Sequence, residues 1–179
     1  FRRVLFRSSL HMNFSIDDIS ISDSLHFPGT RLDISTGKDI STIHLKTQAS
    51  EALSDAELNA RLETFNDGIG IYFSPSSFII NNKKWLFEKD GELSIRKNNI
   101  EAHDIKFKEG YQEIMLSTEK PDSAGIPILQ ANLKTVNLED FMPLIITDPQ
   151  MKGLITGKAI IRQPLNVAEI EFSGRADSL

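Results

Sequence analysis

Gly68-Ile69-Gly70-Ile71-Tyr72-Phe73 is the stretch whose reading decides the fold. Ile69, Ile71 and Phe73 alternate with Gly70 and Tyr72 at a strict period of two. Successive side chains of a strand point to opposite faces, so this run has one apolar and one mixed face. The same period continues outward through Phe78 and Ile80, Trp85 and Phe87, Leu93 and Ile95, Ile100 and Ala102, Ile105 and Phe107, and Ile114 and Leu116. It resumes in Leu129, Ala131 and Leu133, then in Gly157, Ala159 and Ile161, and closes with Ile170 and Phe172. Turn-forming residues fall between the runs at Asn66-Asp67-Gly68, Asn81-Asn82, Asp90-Gly91, Asn98-Asn99, Glu109-Gly110 and Pro121 to Gly125. A turn roughly every ten residues is the rhythm of a meander, sandwich or barrel. The fold class expected is all-β.

Two stretches depart from that rhythm. Ala52 to Leu62 suits a helix by composition, yet Ala56, Leu58, Ala60, Leu62 and Thr64 alternate with polar residues, which predicts a strand. Asn137 to Ile146 predicts one short helix. Asn137 can cap it, Glu139 and Asp140 suit its positive end, and Pro143 limits it to one or two turns.

Composition narrows the function classes. The chain has 179 residues, 40% of them hydrophobic, with 11 Phe against 2 Tyr and 1 Trp, so large apolar surfaces must be buried or used. The net charge is −5, from 20 basic and 25 acidic residues mixed along the chain, and no basic run offers phosphate a footprint. No nucleic-acid partner is expected. The absence of cysteine excludes disulfides, a CxxC redox site and thiolate zinc.

Residues 1–8 are expected to be a non-native tail, since Val4-Leu5-Phe6-Arg7-Ser8 back-translates to a common sequencing-adapter end. Residues 9–179 are then read as a piece of one elongated β domain cut at both ends.

No constellation predicts catalysis. His11, His26, His44 and His103 lack the local spacing of a metal site and read as surface or structural residues. Ser35/Lys38, Ser94/Lys97 and Ser117/Lys120 repeat the Ser-x-x-Lys spacing, but in strand or turn sequence where it does not bring the two together. Gly153 to Lys158 has three residues between its glycines where a phosphate loop needs four. Asp17/Asp18 and Glu139/Asp140 read as solvated carboxylates. No catalytic, cofactor-binding or metal-binding residue is expected, and the chain is not read as an enzyme. What remains is the apolar stripe. By period alone it is equally the inner face of a closed sandwich or barrel and a groove open to a lipid or peptide.

Several ordered segments carry a resemblance. They are Phe73-Ser74-Pro75-Ser76-Ser77-Phe78-Ile79-Ile80-Asn81-Asn82-Lys83-Lys84-Trp85, then Asp90-Gly91-Glu92-Leu93-Ser94-Ile95, then Leu133 to Leu144, and Lys152 to Ile161 followed by Gln163-Pro164-Leu165. In order and spacing they are similar to the repeated strand, turn and hairpin elements of the TamB family of AsmA-like translocation and assembly module proteins, in its Bacteroidota form. Asn13 to Asn66 resembles it more loosely. The resemblance implies an elongated sheet curled into a groove-like tube (a β-taco). It further implies a periplasmic location and a parent anchored in the inner membrane of a Gram-negative bacterium. Phospholipid transport to the outer membrane, protein assembly or secretion there, and an Omp85-class (TamA-like) partner bound through other regions follow from the same likeness.

Under that reading the candidate lipid-groove lining is Ile69, Ile71, Phe73, Phe78, Ile80, Trp85, Phe87, Leu93 and Ile95, with Ile105, Phe107, Leu129 and Leu133 in later strands. An exposed methylene costs ~0.8 kcal/mol, so an acyl chain of ~14 methylenes costs on the order of 11 kcal/mol to bring through water. A conduit offsets this with a continuous apolar lining and needs few polar contacts.

Overall fold

A computed structural model describes residues 9–22, 25–48, 53–87, 91–97, 99–119, 128–145, 152–164 and 169–177. The tail at 1–8 and the Pro121–Gly125 turn lie outside the described residues. The elements are β1 (Leu10–Ser22), β2 (Leu25–Gly37), β3 (Ile40–Thr47), β4 (Leu53–Thr64), β5 (Gly68–Ile80), β6 (Lys83–Phe87), β7 (Glu92–Arg96), β8 (Asn99–His103), β9 (Ile105–Glu109), β10 (Gln112–Glu119), β11 (Ile128–Asn137), α1 (Leu138–Ile145), β12 (Leu154–Arg162) and β13 (Glu169–Asp177). All thirteen strands belong to one antiparallel sheet, open at β1 and β13 and not closed into a barrel. The all-β class and the single short helix agree with the sequence reading. The ambiguous stretch is strand from Leu53 onward, within β4, and Ala52 lies outside the described residues.

Turn chemistry sets the registers. Asn81 and Asn82 both have positive φ, 49° and 61°, the handedness that joins two strands through a two-residue turn, here β5 to β6. Glu109 pairs with Gln112, so the next turn is Gly110-Tyr111, with Gly110 at φ 55°. Two expected turns shift accordingly. Arg96 pairs with Asn99, which places Asn99 in β8 and the turn one residue earlier, because the Ile95–Ile100 pairing fixes the ladder. A further tight turn joins β2 to β3, with Lys38 at φ 59°.

The sheet forks at β5, which a plain meander does not do. Residues Gly68 to Tyr72 of β5 pair with β7, while Ser76 to Ile80 pair with β6. Pro75 sits at the change of partner, where a residue without an N–H cannot continue a ladder. One arm is the β7–β8 hairpin. The other passes from β6 to β9 through, among the described residues, the pairs Leu86–Lys108 and Phe87–Phe107, and continues to β13. The hairpin packs back on the second arm, where the Ala102 amide donates to Thr118 Oγ1 at 2.5 Å.

Helix α1 closes the other end. The Asn137 side chain accepts from the Glu139 amide at 3.1 Å, the expected cap, and the Leu138 amide donates to the Gly153 carbonyl at 2.9 Å. Asp140 corrects the sequence reading. It is fully buried, not solvated, and accepts from Lys83 Nζ at 2.8 and 3.0 Å, Asn81 Nδ2 at 3.1 Å and Gln112 Nε2 at 3.3 Å. Asp17 and Asp18 are exposed as expected.

Gly157 and Gly174 face each other across β12 and β13. A Cβ on Gly157 would lie 2.5 Å from the Ser173 carbonyl oxygen and 2.6 Å from Gly174 Cα. Both neighbours are backbone and cannot swing away. Gly157→Val is therefore expected to destabilise the chain by about 1–3 kcal/mol, read from the urea midpoint, through overpacking.

Candidate functional site

Cross-strand register puts the alternating apolar residues on one side of the whole sheet. Ile69 pairs with Ile95 and Ile71 with Leu93, then Leu93 with Ala102 and Ile95 with Ile100. On the second arm Phe78 pairs with Trp85, Phe87 with Phe107, Phe107 with Ile114 and Ile114 with Leu133. All the lining residues expected from sequence thus share a face. What covers that face differs along the sheet.

From β5 onward the face is largely covered. The folded-back hairpin buries Phe87, Ile100, Ala102, Ile105 and Leu129 in one cluster, with Phe73, Leu93, Ile95 and Phe107 packed against it. Phe73 and Phe107 meet the Phe87 ring edge-on at 5.1 and 4.9 Å. A second cluster holds Ile80 and Trp85, with Phe78 stacked on Trp85 at 6.3 Å and Phe141 of α1 edge-on to it at 4.9 Å. Ile69, Ile71 and Leu133 lie outside these two clusters, half-buried.

From β1 to β4 the same face is open over two rows, whereas in the row beside them Thr30 and Thr47 are fully buried. One row runs Met12, Ile34, Ile43, Ala60 and Phe73, and the next runs Phe14, Leu32, Leu45 and Leu58. These strands pack chiefly against their sheet neighbours, and Phe14 remains 46% exposed. Apart from Phe73, sequence reasoning did not put these residues in the lining. The alternation Leu10, Met12, Phe14, Ile16 is the signal that could have found them.

The opposite face of β1–β5 is polar. A shallow hollow of about 470 Å³ is bordered by His11, Asn13, Asp33, Ser35, Thr42, His44, Asn59, Arg61 and Ser74, with Ile34, Ile43 and Ala60 also lining it. Its groups satisfy one another across the strands. The Asn13 amide donates to Asp33 at 2.7 Å, His44 Nδ1 meets Asn59 Oδ1 at 2.6 Å, and His11 meets Ser35. The Arg61 guanidinium lies 4.2 Å from the Tyr72 ring centroid. Burial first, then the Glu92 and Glu63 carboxylates, hold the Tyr72 phenol above its ordinary value, with Arg61 acting in the opposite sense. Two histidines remote in sequence thus share a ladder, but no metal-holding group of three or more His, Cys, Asp or Glu forms among the described residues.

No helix among the described residues is long and apolar enough to cross a membrane. The chain matches no protein-family profile, no curated protein and no solved structure.

Proposed function

We propose that this chain is a non-catalytic β-groove segment that carries phospholipid acyl chains through the periplasm, within a parent that serves lipid transport to, and protein assembly in, the outer membrane. The observation that carries this reading is the pair of apolar rows on β1–β4, from Met12 to Ala60 and from Phe14 to Leu58, whose strands contact chiefly their sheet neighbours and which leave Phe14 and Leu58 exposed. Burying such a surface against acyl chains is worth about 25 cal/mol per Å² removed from water. The likeness to the TamB family supplies the rest: the inner-membrane anchor, the periplasmic setting and the Omp85-class partner.

The packing decides where the lipid should touch. Ile95 packs against the hairpin cluster and Ser94 is buried, so neither is a clean probe of a groove. A photo-crosslinking residue at Ile34 or Leu45 is expected to capture phospholipid, while one at Ser35 or His44, on the opposite face, is not. Equal labelling of both faces, or none, would overturn the proposal.

One observation favours a second reading, a structural β module with a closed core. The β7–β8 hairpin and α1 together cover most of the apolar face beyond β5. On that reading the purified chain binds no lipid, and the probes at Ile34 and Leu45 stay silent.

A further inference from the structure

The β7–β8 hairpin is laddered to the rest of the sheet along one side. Its strand β7 pairs with β5 from Gly68–Arg96 to Tyr72–Glu92, while β8, among the described residues, has β7 as its one ladder partner. Strand β8 has two unlike faces: Asn99, Glu101 and His103 are exposed, Ile100 and Ala102 buried. The buried pair shares one cluster with Ile105 and Leu129 of the second arm, and Ile161 packs against it. Where β7 meets β5 the backbones run closer than a side chain permits, since a Cβ on Gly68 would overlap the Ile95 carbonyl oxygen. Glycine inside a strand marks such a close approach or a sharp bend.

We propose that the β7–β8 hairpin is a flap that swings off the apolar face of β9–β12, and that the occupant it makes room for is a phospholipid acyl chain. The inference rests on the acyl-chain reading above and says how the lining beyond β5 becomes available. The two sides of the hairpin are held by different kinds of contact. On one side the β5–β7 ladder is a row of directional backbone bonds, which an acyl chain cannot replace. On the other side the seat is apolar packing, with the bond from the Ala102 amide to Thr118 Oγ1 at 2.5 Å. Apolar burial is non-directional and scales with the area removed from water. An acyl chain can therefore take the place of Ile100 and Ala102 against Leu129 and Ile161 without wetting that surface.

Continuity points to the same occupant. The open row from Met12 to Ala60 reaches Phe73 through the Ala60–Phe73 pair, and Phe73 packs on the cluster that the hairpin covers. A chain lying on the open rows meets the flap next.

The test has a lipid-free arm and a lipid arm, both on the full 179-residue chain, which has no cysteine of its own. In the first, the thiol of Ala102→Cys should react with Ellman's reagent about tenfold faster than that of Val136→Cys, also buried but outside the hairpin, because local opening costs less than global unfolding. Adding Thr118→Val should speed the reaction about another tenfold, the worth of one buried hydrogen bond, and Thr118→Ser should not. Circular dichroism checks that each variant folds, and Ile100→Cys reads the same opening if Ala102→Cys does not. In the second arm, a photo-crosslinking residue at Ile161 meets vesicles of phosphatidylethanolamine and phosphatidylglycerol. It should capture phospholipid, and more of it in Thr118→Val, while capture at Ile34 and Leu45 keeps its level. Equal thiol rates at the two positions would make the hairpin a fixed part of the core and overturn the flap. A silent Ile161 beside labelled Ile34 and Leu45, or capture at Ile161 indifferent to Thr118→Val, would overturn it too. Silence at all three probes overturns the acyl-chain reading and the flap's cargo with it, and the thiol rates tell that failure from the first.

Discussion

Asp140→Ala should lower the stability of the chain by about 3–5 kcal/mol, the scale of breaking a buried ion pair on one side only. The carboxylate is wholly out of solvent, whereas Lys83 keeps a third of its side chain exposed. Removing the carboxylate takes an acceptor from the Lys83 ammonium, the exposed Asn81 amide and the Gln112 amide, the last of which keeps Glu109 Oε2 at 2.7 Å. Gln112 is itself tied to the chain entering α1, since its Oε1 accepts from the Asn137 amide at 2.7 Å. The loss therefore spreads from the ion pair to the seat of the helix. Urea unfolding followed by the fluorescence of the single tryptophan, Trp85, measures it. Pairing Asp140→Leu with Lys83→Met should recover most of the loss, because no charge is then left without a partner. If Asp140→Ala unfolds within 1 kcal/mol of the parent chain, as a freely solvated acid would, the buried network is not holding the helix.

Trp85 carries the second large effect. It is fully buried, stacked on Phe78 and met edge-on by Phe141, so it joins β5, β6 and α1. Trp85→Ala should cost about 3–5 kcal/mol by circular dichroism melts in urea, from lost transfer energy and the cavity left behind. Trp85→Phe should cost far less, about 1 kcal/mol. The indole Nε1 is buried with no hydrogen-bond partner among the described residues, and an orphaned buried donor carries a penalty of about 1–3 kcal/mol that phenylalanine removes. A phenylalanine variant as unstable as the alanine variant would mean that the indole's bulk, with no polar penalty, sets the energetics.

These residues mark how far the sequence can be read. Alternation at Ile69, Ile71 and Phe73 made the strand and its apolar face legible because the period of two is a property of the local backbone. Asn137 made the helix start legible for the same local reason. Partner choice is not local. Nothing in the spacing around Pro75 says that β5 serves two strands, or that β9 pairs with β6 while β8 folds back on β10. For the same reason Asp140 read as a solvated acid. Its burial depends on Lys83 and Asn81, more than fifty residues earlier in the chain. The covering of the lining residues from Phe73 onward was illegible too, since a closed core and an open groove have the same period. The polar ladder through His11 and His44 needed three strand registers before the residues could be neighbours.

The fork at β5 also makes the molecule a mechanical object of two plates. Among the described residues the hydrogen-bonded joint between β6 and β9 is two residue pairs wide, whereas β1 and β2 are stitched along nearly their whole length. Across the joint the plates are held by the packing of Phe78 and Phe87 on Phe107 and by the bonds of Asn81 and Lys83 to Asp140. Ring contacts of that kind tolerate sliding and tilt far better than a ladder of directional bonds. The Lys83–Asp140 pair is therefore the directional link that limits the tilt of one plate on the other.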